Sequence, residues 1–350
     1  MTKYYITNLE IDNFFNQLRK DYKVFFPVAR ENRNNKMDYA YQEATTDSHF
    51  LFNPYRTIEP LKVFFTYPYE SVGTYFDFKD QIKLEKQTVI LGVKACDLYA
   101  HKIQDFVFLE GVQRDTLYKL RRDHTLIISG DCTDFKEVCH CLAWEIMPYP
   151  TEGFDLNLSP LNEGYIVEVG SERGQELIQR YTRYFSLAKE TQVSFCKTKR
   201  QNFIEKLNNH LKPQNLVSKD NVQRLVRLGY DLETWQNFSL TCVECGGCNL
   251  ICDTCHCFLL ADRKTDSLNE KIRIWDSCQY ANFARVAGGA NPLKTRSKRL
   301  RNRFMKKFDF FIDNLGIPAC CGCGRCIEVC PGRIDIREVL KDLANKVSLK

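Results

Sequence analysis

At 350 residues the chain has room for two domains with ordinary cores, and 44% hydrophobic with 13% aromatic content excludes wholesale disorder. The formal charge of +6 is uneven: from Phe238 onward 19 Lys/Arg stand against 12 Asp/Glu, leaving the remainder at −1. Seventeen cysteines, an odd number with many C-x2-C and C-x-C spacings, do not read as a disulfide framework. No apolar run reaches membrane-spanning length, and Met1 to Ile11 carries neither a basic-then-apolar pattern nor a twin arginine. The expectation is a cytoplasmic protein of a reducing, oxygen-poor cell.

Ile11, Phe14, Phe15 and Leu18 recur at helical spacing and predict a helix over 11–20. Lys23 to Val28 reads as extended, and the polar stretch from Glu31 to Ser48 as a surface excursion. Thr88 to Val93 (TVILGV) is a short buried strand, followed by a helical pattern over 97–107 and a second apolar strand over 125–129 (TLIIS). Strand, helix and strand in about forty residues predict a βαβ unit with parallel strands and a right-handed crossover. Tyr165 to Val169 reads as a further strand, and Ser171 to Tyr181 as a helix with Ser171 at its N-cap and Gly174 as a weak point. Residues 1–195 are therefore expected to form an α/β domain with a parallel βαβ core.

The cysteines fall at telling places on that unit. Cys96 lies just past the carboxyl end of the first strand and Cys132 just past that of the second, where open parallel sheets bind ligands. Cys139 and Cys141 follow in the next loop. These four thiols are candidate ligands of a [4Fe–4S] cluster; zinc, or a packed core thiol at Cys96, are the competing readings. No G-x-G-x-x-G follows either strand and no Walker A run exists, so the sheet is expected to hold metal and not a dinucleotide, and FAD and NAD(P), if needed, must come from elsewhere.

Gln201 to Leu211 and Val222 to Leu228 are helical in pattern, with Pro213 between them and an end signal at Gly229, which makes 196–236 a helical linker. Residues 237–350 then carry two runs of C-x2-C-x2-C-x3-C, at Cys242, Cys245, Cys248, Cys252 and at Cys320, Cys323, Cys326, Cys330, the second ending in Pro331. This is the ligand run of a two-cluster bacterial ferredoxin, in which the fourth cysteine serves the other cluster. Cluster I is accordingly assigned to Cys242, Cys245, Cys248 and Cys330, and cluster II to Cys320, Cys323, Cys326 and Cys252. The expected domain is mainly helical, a ferredoxin-like module with a long insertion between its cysteine runs.

Cys255, Cys257 and Cys278 have no role in that assignment. They read as buried structural thiols, as substitutes in the third cluster, or as ligands of a further cluster with an open iron. His140 and His256, each inside C-H-C, read as hydrogen-bond donors to cluster sulfur. Lys294 to Lys307 holds eight basic residues and no acidic one. Its expected form is a helix with Leu300 and Phe304 on one face and cations around the rest. Such a helix is a solvated face, a dock for an acidic partner, or a source of positive charge that raises a cluster potential. An oxidised cubane with four thiolates carries about two negative charges, so two or three clusters offset most of the basic surplus and nucleic-acid binding is not implied.

Several stretches together resemble the iron–sulfur β subunit of cytoplasmic sulfhydrogenases (NADP-linked soluble hydrogenases) and the related A subunit of anaerobic sulfite reductases. They are Gly92 to Tyr99 (GVKACDLY), the Cys132/Cys139/Cys141 group, the run from Cys242 to Cys257, WDSCQY with VAGG, RLRNRF, and CGCGRC. The resemblance runs from about Tyr22 to Leu340. It implies a subunit that relays electrons between an FAD- and NAD(P)-binding reductase subunit and a NiFe hydrogenase or siroheme sulfite reductase subunit, or ferredoxin. The chain departs from that family at Asp253, where proline is usual, and carries an extra thiol at Cys321, read as a bystander. The competing readings are direct reduction of a sulfur compound at an open-iron site and a zinc-stabilised interaction module.

Overall fold

A computed structural model describes residues 2–32, 36–45, 49–75, 86–266 and 269–348. In chain order the strands are β1 (Lys3–Thr7), β2 (Lys23–Glu31), β3 (Met37–Glu43), β4 (Tyr69–Thr74), β5 (Thr88–Val93), β6 (Thr125–Gly130), β7 (Leu156–Pro160), β8 (Gly164–Val169), β9 (Ser186–Leu187), β10 (Phe258–Lys264) and β11 (Asn269–Trp275). The larger sheet has the order β3-β2-β5-β6-β7-β8-β1-β9. Strands β2, β5, β6 and β7 run parallel, and antiparallel strands extend the sheet on both sides.

The parallel strands are apolar throughout because both their faces are covered. Val89 and Leu91 of β5, with Leu126 and Ile128 of β6, pack against Phe14 and Leu18 of α1 (Asn8–Asp21). Ile90 and Ile127 point the other way, towards Leu61, Phe65 and the residues Leu98 and Tyr118 of α2 (Ala95–Asp105) and α3 (Thr116–Asp123). The expected βαβ unit is present, with α3 as a second helix in its crossover.

The excursion expected over 31–48 is corrected in part: Met37–Glu43 is an edge strand paired antiparallel with β2, its inward residue Ala40 buried. Residues 33–35 and 46–48 lie outside the described residues. Ser171 caps α4 (Glu172–Arg180), its Oγ accepting from the Gly174 amide at 3.0 Å. Gly174 is no weak point, since a Cβ there would lie 1.9 Å from the Asp155 carbonyl oxygen.

Helices α5 (Glu190–Leu211) and α6 (Lys219–Leu228) lead to α7 (Thr234–Ser239), α8 (Gly247–Leu250), α9 (Arg296–Met305), α10 (Phe311–Leu315), α11 (Arg325–Glu328) and α12 (Ile336–Ser348). A wide π-helical turn over Lys306–Phe310 joins α9 to α10. The two ends of the chain meet in two ways. The second sheet, β10-β11-β4, takes one strand from the N-terminal half. One hydrophobic cluster also packs Ala95, Ala100 and Trp144 with Leu225, Phe304, Phe308 and Leu343.

Candidate metal centres

The first cysteine run sits on a loop that turns through Gly246 (φ +72°), where a Cβ would meet the Tyr280 ring at 2.7 Å, and enters α8. Cys242, Cys245, Cys248 and Cys330 line one cavity, together with Cys326, Arg303 and Phe304. The four thiols assigned to cluster I thus meet although Cys330 is remote in sequence. Burial pushes Cys248 up to about 12, opposed by the Arg303 guanidinium.

Cys252, Cys320, Cys323 and Cys326 form the second group. Cys320 feels the charges of Cys326 and Cys252, and Cys326 those of Cys252 and Cys323. Two buried cations face this group, Arg303 from α9 and Lys307 from the π-helical turn after it. Lys307 Nζ donates to Cys252 Sγ at 3.3 Å, Thr254 Oγ1 at 2.8 Å and the Ala319 carbonyl at 2.9 Å. Arg303 donates to Asn249 Oδ1 at 2.9 Å and the Cys248 carbonyl at 3.3 Å. Neither ion-pairs with a carboxylate among the described residues, and thiolate charge raises both above their ordinary values although burial opposes it. A buried cation is costly unless paired, so this donor set fits an anionic thiolate-bound group.

Asp253, the departure from proline, is fully buried, and its carboxylate accepts from the backbone amides of Leu61 at 3.3 Å and Lys62 at 2.8 Å. It ties the cysteine run to a turn of the α/β half. Cys321 is buried beside the thiols assigned to cluster II, and its thiol, against burial, holds the Cys323 thiol down at about 6.

The third group is Cys96 in the first turn of α2, Cys132 beyond β6, and Cys139 with Cys141 in the following loop. All four line one cavity, which Gly322 and Cys323 also border. Burial raises Cys132 to about 12 against the pull of Lys94. The loop 320–324 presses on this loop backbone to backbone. The His140 backbone amide donates to the Gly322 carbonyl at 2.8 Å, and a Cβ on Gly322 (φ +64°) would lie 2.6 Å from the Cys141 backbone. Arg56, buried and ion-paired with Glu328, donates to the Cys323 carbonyl at 2.7 Å. The groups therefore stand in a row, with Cys326 bordering the first and Cys323 the third. Among the described residues no group of three or more His, Cys, Asp or Glu side chains is gathered closely enough to hold a single metal ion.

Residues 241–334 match the family model of a 4Fe-4S dicluster domain, a range that contains all eight cysteines of the two runs. The sulfhydrogenase 2 subunit beta of Pyrococcus furiosus is 31% identical over 339 residues, spanning 94% of this chain and 95% of that protein. The chain belongs to the sulfhydrogenase beta-subunit family. No helix among the described residues is long and apolar enough to cross a membrane.

In this sulfhydrogenase-type chain the surplus thiols lie beside the dicluster module and do not line the cavity of Cys96, Cys132, Cys139 and Cys141. Cys255 and Cys257 border a cleft with Asn249, Lys62 and Trp275. Cys278 accepts from Asn249 Nδ2 at 3.0 Å and Gln279 Nε2 at 3.5 Å. The Cys257 thiol is the strongest influence holding Cys278 down at about 5. His140 and His256 both set Nδ1 against backbone carbonyls, of Val138 at 3.0 Å and Thr254 at 3.4 Å, and burial lowers each to about 4, so both are neutral near pH 7.

The basic segment departs most from its expected form. Leu300 and Phe304 are buried as expected, yet so are Arg299, Arg303 and Lys307. Their four-residue spacing places them on the same inward face. Arg56, Lys94 and Asn249 were missed as well: each is a single polar residue whose partner lies far away in sequence.

Proposed function

We propose that the protein is the iron–sulfur electron-transfer subunit of a multi-subunit oxidoreductase of hydrogenase type. It relays electrons between an FAD- and NAD(P)-binding subunit and a catalytic subunit, a NiFe hydrogenase or sulfur reductase first and a siroheme sulfite reductase second. The observation that carries this reading is the row of three cysteine groups, with Cys326 and Cys323 at its two junctions. Bound [4Fe–4S] clusters would supply one-electron transfer.

The residues of the chain do the rest. Cys242, Cys245, Cys248 and Cys330 would hold cluster I, and Cys320, Cys323, Cys326 and Cys252 cluster II. Cys96, Cys132, Cys139 and Cys141 would hold a third. Each thiol must lose its proton to ligate, and burial opposes that loss. Arg303, Lys307, Lys94 and Arg56 supply the opposing positive charge. Cys255, Cys257 and Cys278 have internal hydrogen-bond partners in this reading and are structural thiols. The family membership supports the hydrogenase-type complex, because the relative named above is itself a sulfhydrogenase subunit.

Protein purified without oxygen is expected to be brown, with about twelve irons and as many acid-labile sulfides per chain for three clusters, or about eight for two. Cys330→Ser should damage the cluster held by Cys242, Cys245 and Cys248 in its electron paramagnetic resonance spectrum. Damage to the other dicluster site instead would reverse the crossed assignment. Zinc without labile sulfide would favour the interaction-module reading.

A further inference from the structure

We propose that the end of the molecule around Cys245 is a docking surface for a redox protein that presents acidic side chains around an apolar centre. The proposal deepens the electron-transfer reading and rests on it. Among the twelve thiols of the three groups, Cys245 alone is exposed; Cys96, Cys252, Cys320 and Cys323 are buried and the others half-buried. An electron that leaves the row through solvent-facing protein has its shortest way out here.

The surface around this thiol has the makeup of a contact patch. Leu240 and Val243 are 66% and 62% exposed, and Val329 is 41% exposed. Val329 lies at the same spot: a Cβ on Gly247 would touch Cys245 Sγ and a Val329 methyl, each at 3.5 Å. The Thr241 hydroxyl donates to the Gly332 carbonyl at 2.8 Å and holds the ends of the two cysteine runs side by side. An apolar centre with a polar rim is how protein interfaces are built.

The rim is cationic. Arg296 donates to the carbonyls of Cys242 at 2.8 Å and Leu240 at 3.3 Å, which anchors the start of α9 beside the patch. Lys294 and Lys298 are exposed on either side of Arg296, and Arg333 is exposed on the second run. The carboxylates of this region are already paired, Glu244 with Arg299 at 2.8 Å and Arg296 at 3.7 Å, and Asp231 with Arg301 at 3.5 Å. What remains is positive, and a complementary partner must be acidic. Such a rim speeds encounter and sets orientation in proportion to low ionic strength. Arg299 and Arg303 play no part, being turned inward.

The test uses the full, cluster-loaded chain with two probes, an acidic ferredoxin and a basic cytochrome c. Affinity and electron-transfer rate are measured for each at low and high salt. The acidic ferredoxin is expected to bind more tightly at low salt. The double variant Lys294→Glu/Lys298→Glu should weaken its binding at low salt by at least about tenfold with iron content unchanged, and Val243→Asp should weaken it also. Lys206→Glu, beside Asp134 at the other end of the row, should leave affinity unaltered. Unchanged affinity in the double variant, an equal loss in Lys206→Glu, or tighter binding of cytochrome c would overturn the docking surface alone. A chain without iron and labile sulfide would overturn the electron-transfer reading and this proposal with it.

Discussion

Lys307 combines three tasks in one ammonium group. It compensates buried thiolate charge, donates to Cys252 Sγ, and joins Thr254 to the Ala319 carbonyl just ahead of Cys320. A positive donor at a ligating sulfur stabilises the more negative, reduced state of the group it binds. Lys307→Met should therefore lower the reduction potential of the cluster that Cys252 is proposed to bind. Loss of one charge-assisted hydrogen bond, about 1.5 kcal/mol, corresponds to roughly 60 mV for a one-electron couple. Lys307→Arg should retain most of the potential. A redox titration followed by electron paramagnetic resonance reads both, and an unmoved potential in Lys307→Met would reduce the residue to a packing role. Asp253 teaches a related lesson. Where a proline would only stiffen the chain, its carboxylate caps two backbone amides of the other half.

Among the elements, two loops and one helix set the geometry of the row. The loop 320–324 turns through left-handed glycines at 322 and 324, and both would place a Cβ inside the loop that carries Cys139 and Cys141. The π-helical turn after α9 buries Lys307 and Phe308, and the Lys307 carbonyl accepts from the Ala319 amide at 2.7 Å, which fixes the entry to the second cysteine run. Gly322→Ala should separate the two loops. Its positive φ and steric overlap should cost more than about 1 kcal/mol, with a fall in iron content. Gly288→Ala, which meets nothing within 4 Å, should change neither. Thermal unfolding and iron analysis of the two variants provide the comparison.

At the scale of the whole molecule, the α/β half and the dicluster module share a hydrophobic core and a sheet. Stripping the clusters would leave Arg303 and Lys307 buried without carboxylate partners among the described residues. An uncompensated buried charge costs about 3–5 kcal/mol. Chelation should consequently lower the melting temperature of the entire chain, in one transition seen by both far-ultraviolet and near-ultraviolet circular dichroism. Separate transitions for sheet and module would show that the shared core does not couple them.

What could be read without a structure was local in origin. The two ligand runs, the caps at Ser171 and Gly229, and the apolar strands β5 and β6 each announce themselves within a few residues, since spacing and backbone freedom are short-range properties. The edge strand β3 and the sheet β10-β11-β4 did not, because their stability comes from pairing across the chain. Nor did the inward turn of Arg299, Arg303 and Lys307. A run of cations reads as a solvated face until thiol sulfurs from distant loops are brought beneath it. The amino-acid sequence thus determined which atoms can bind metal, and the tertiary structure decided which of them share a site and which charges face them. Ligation depends on residue type, whereas proximity and burial exist only once the loops have closed on one another.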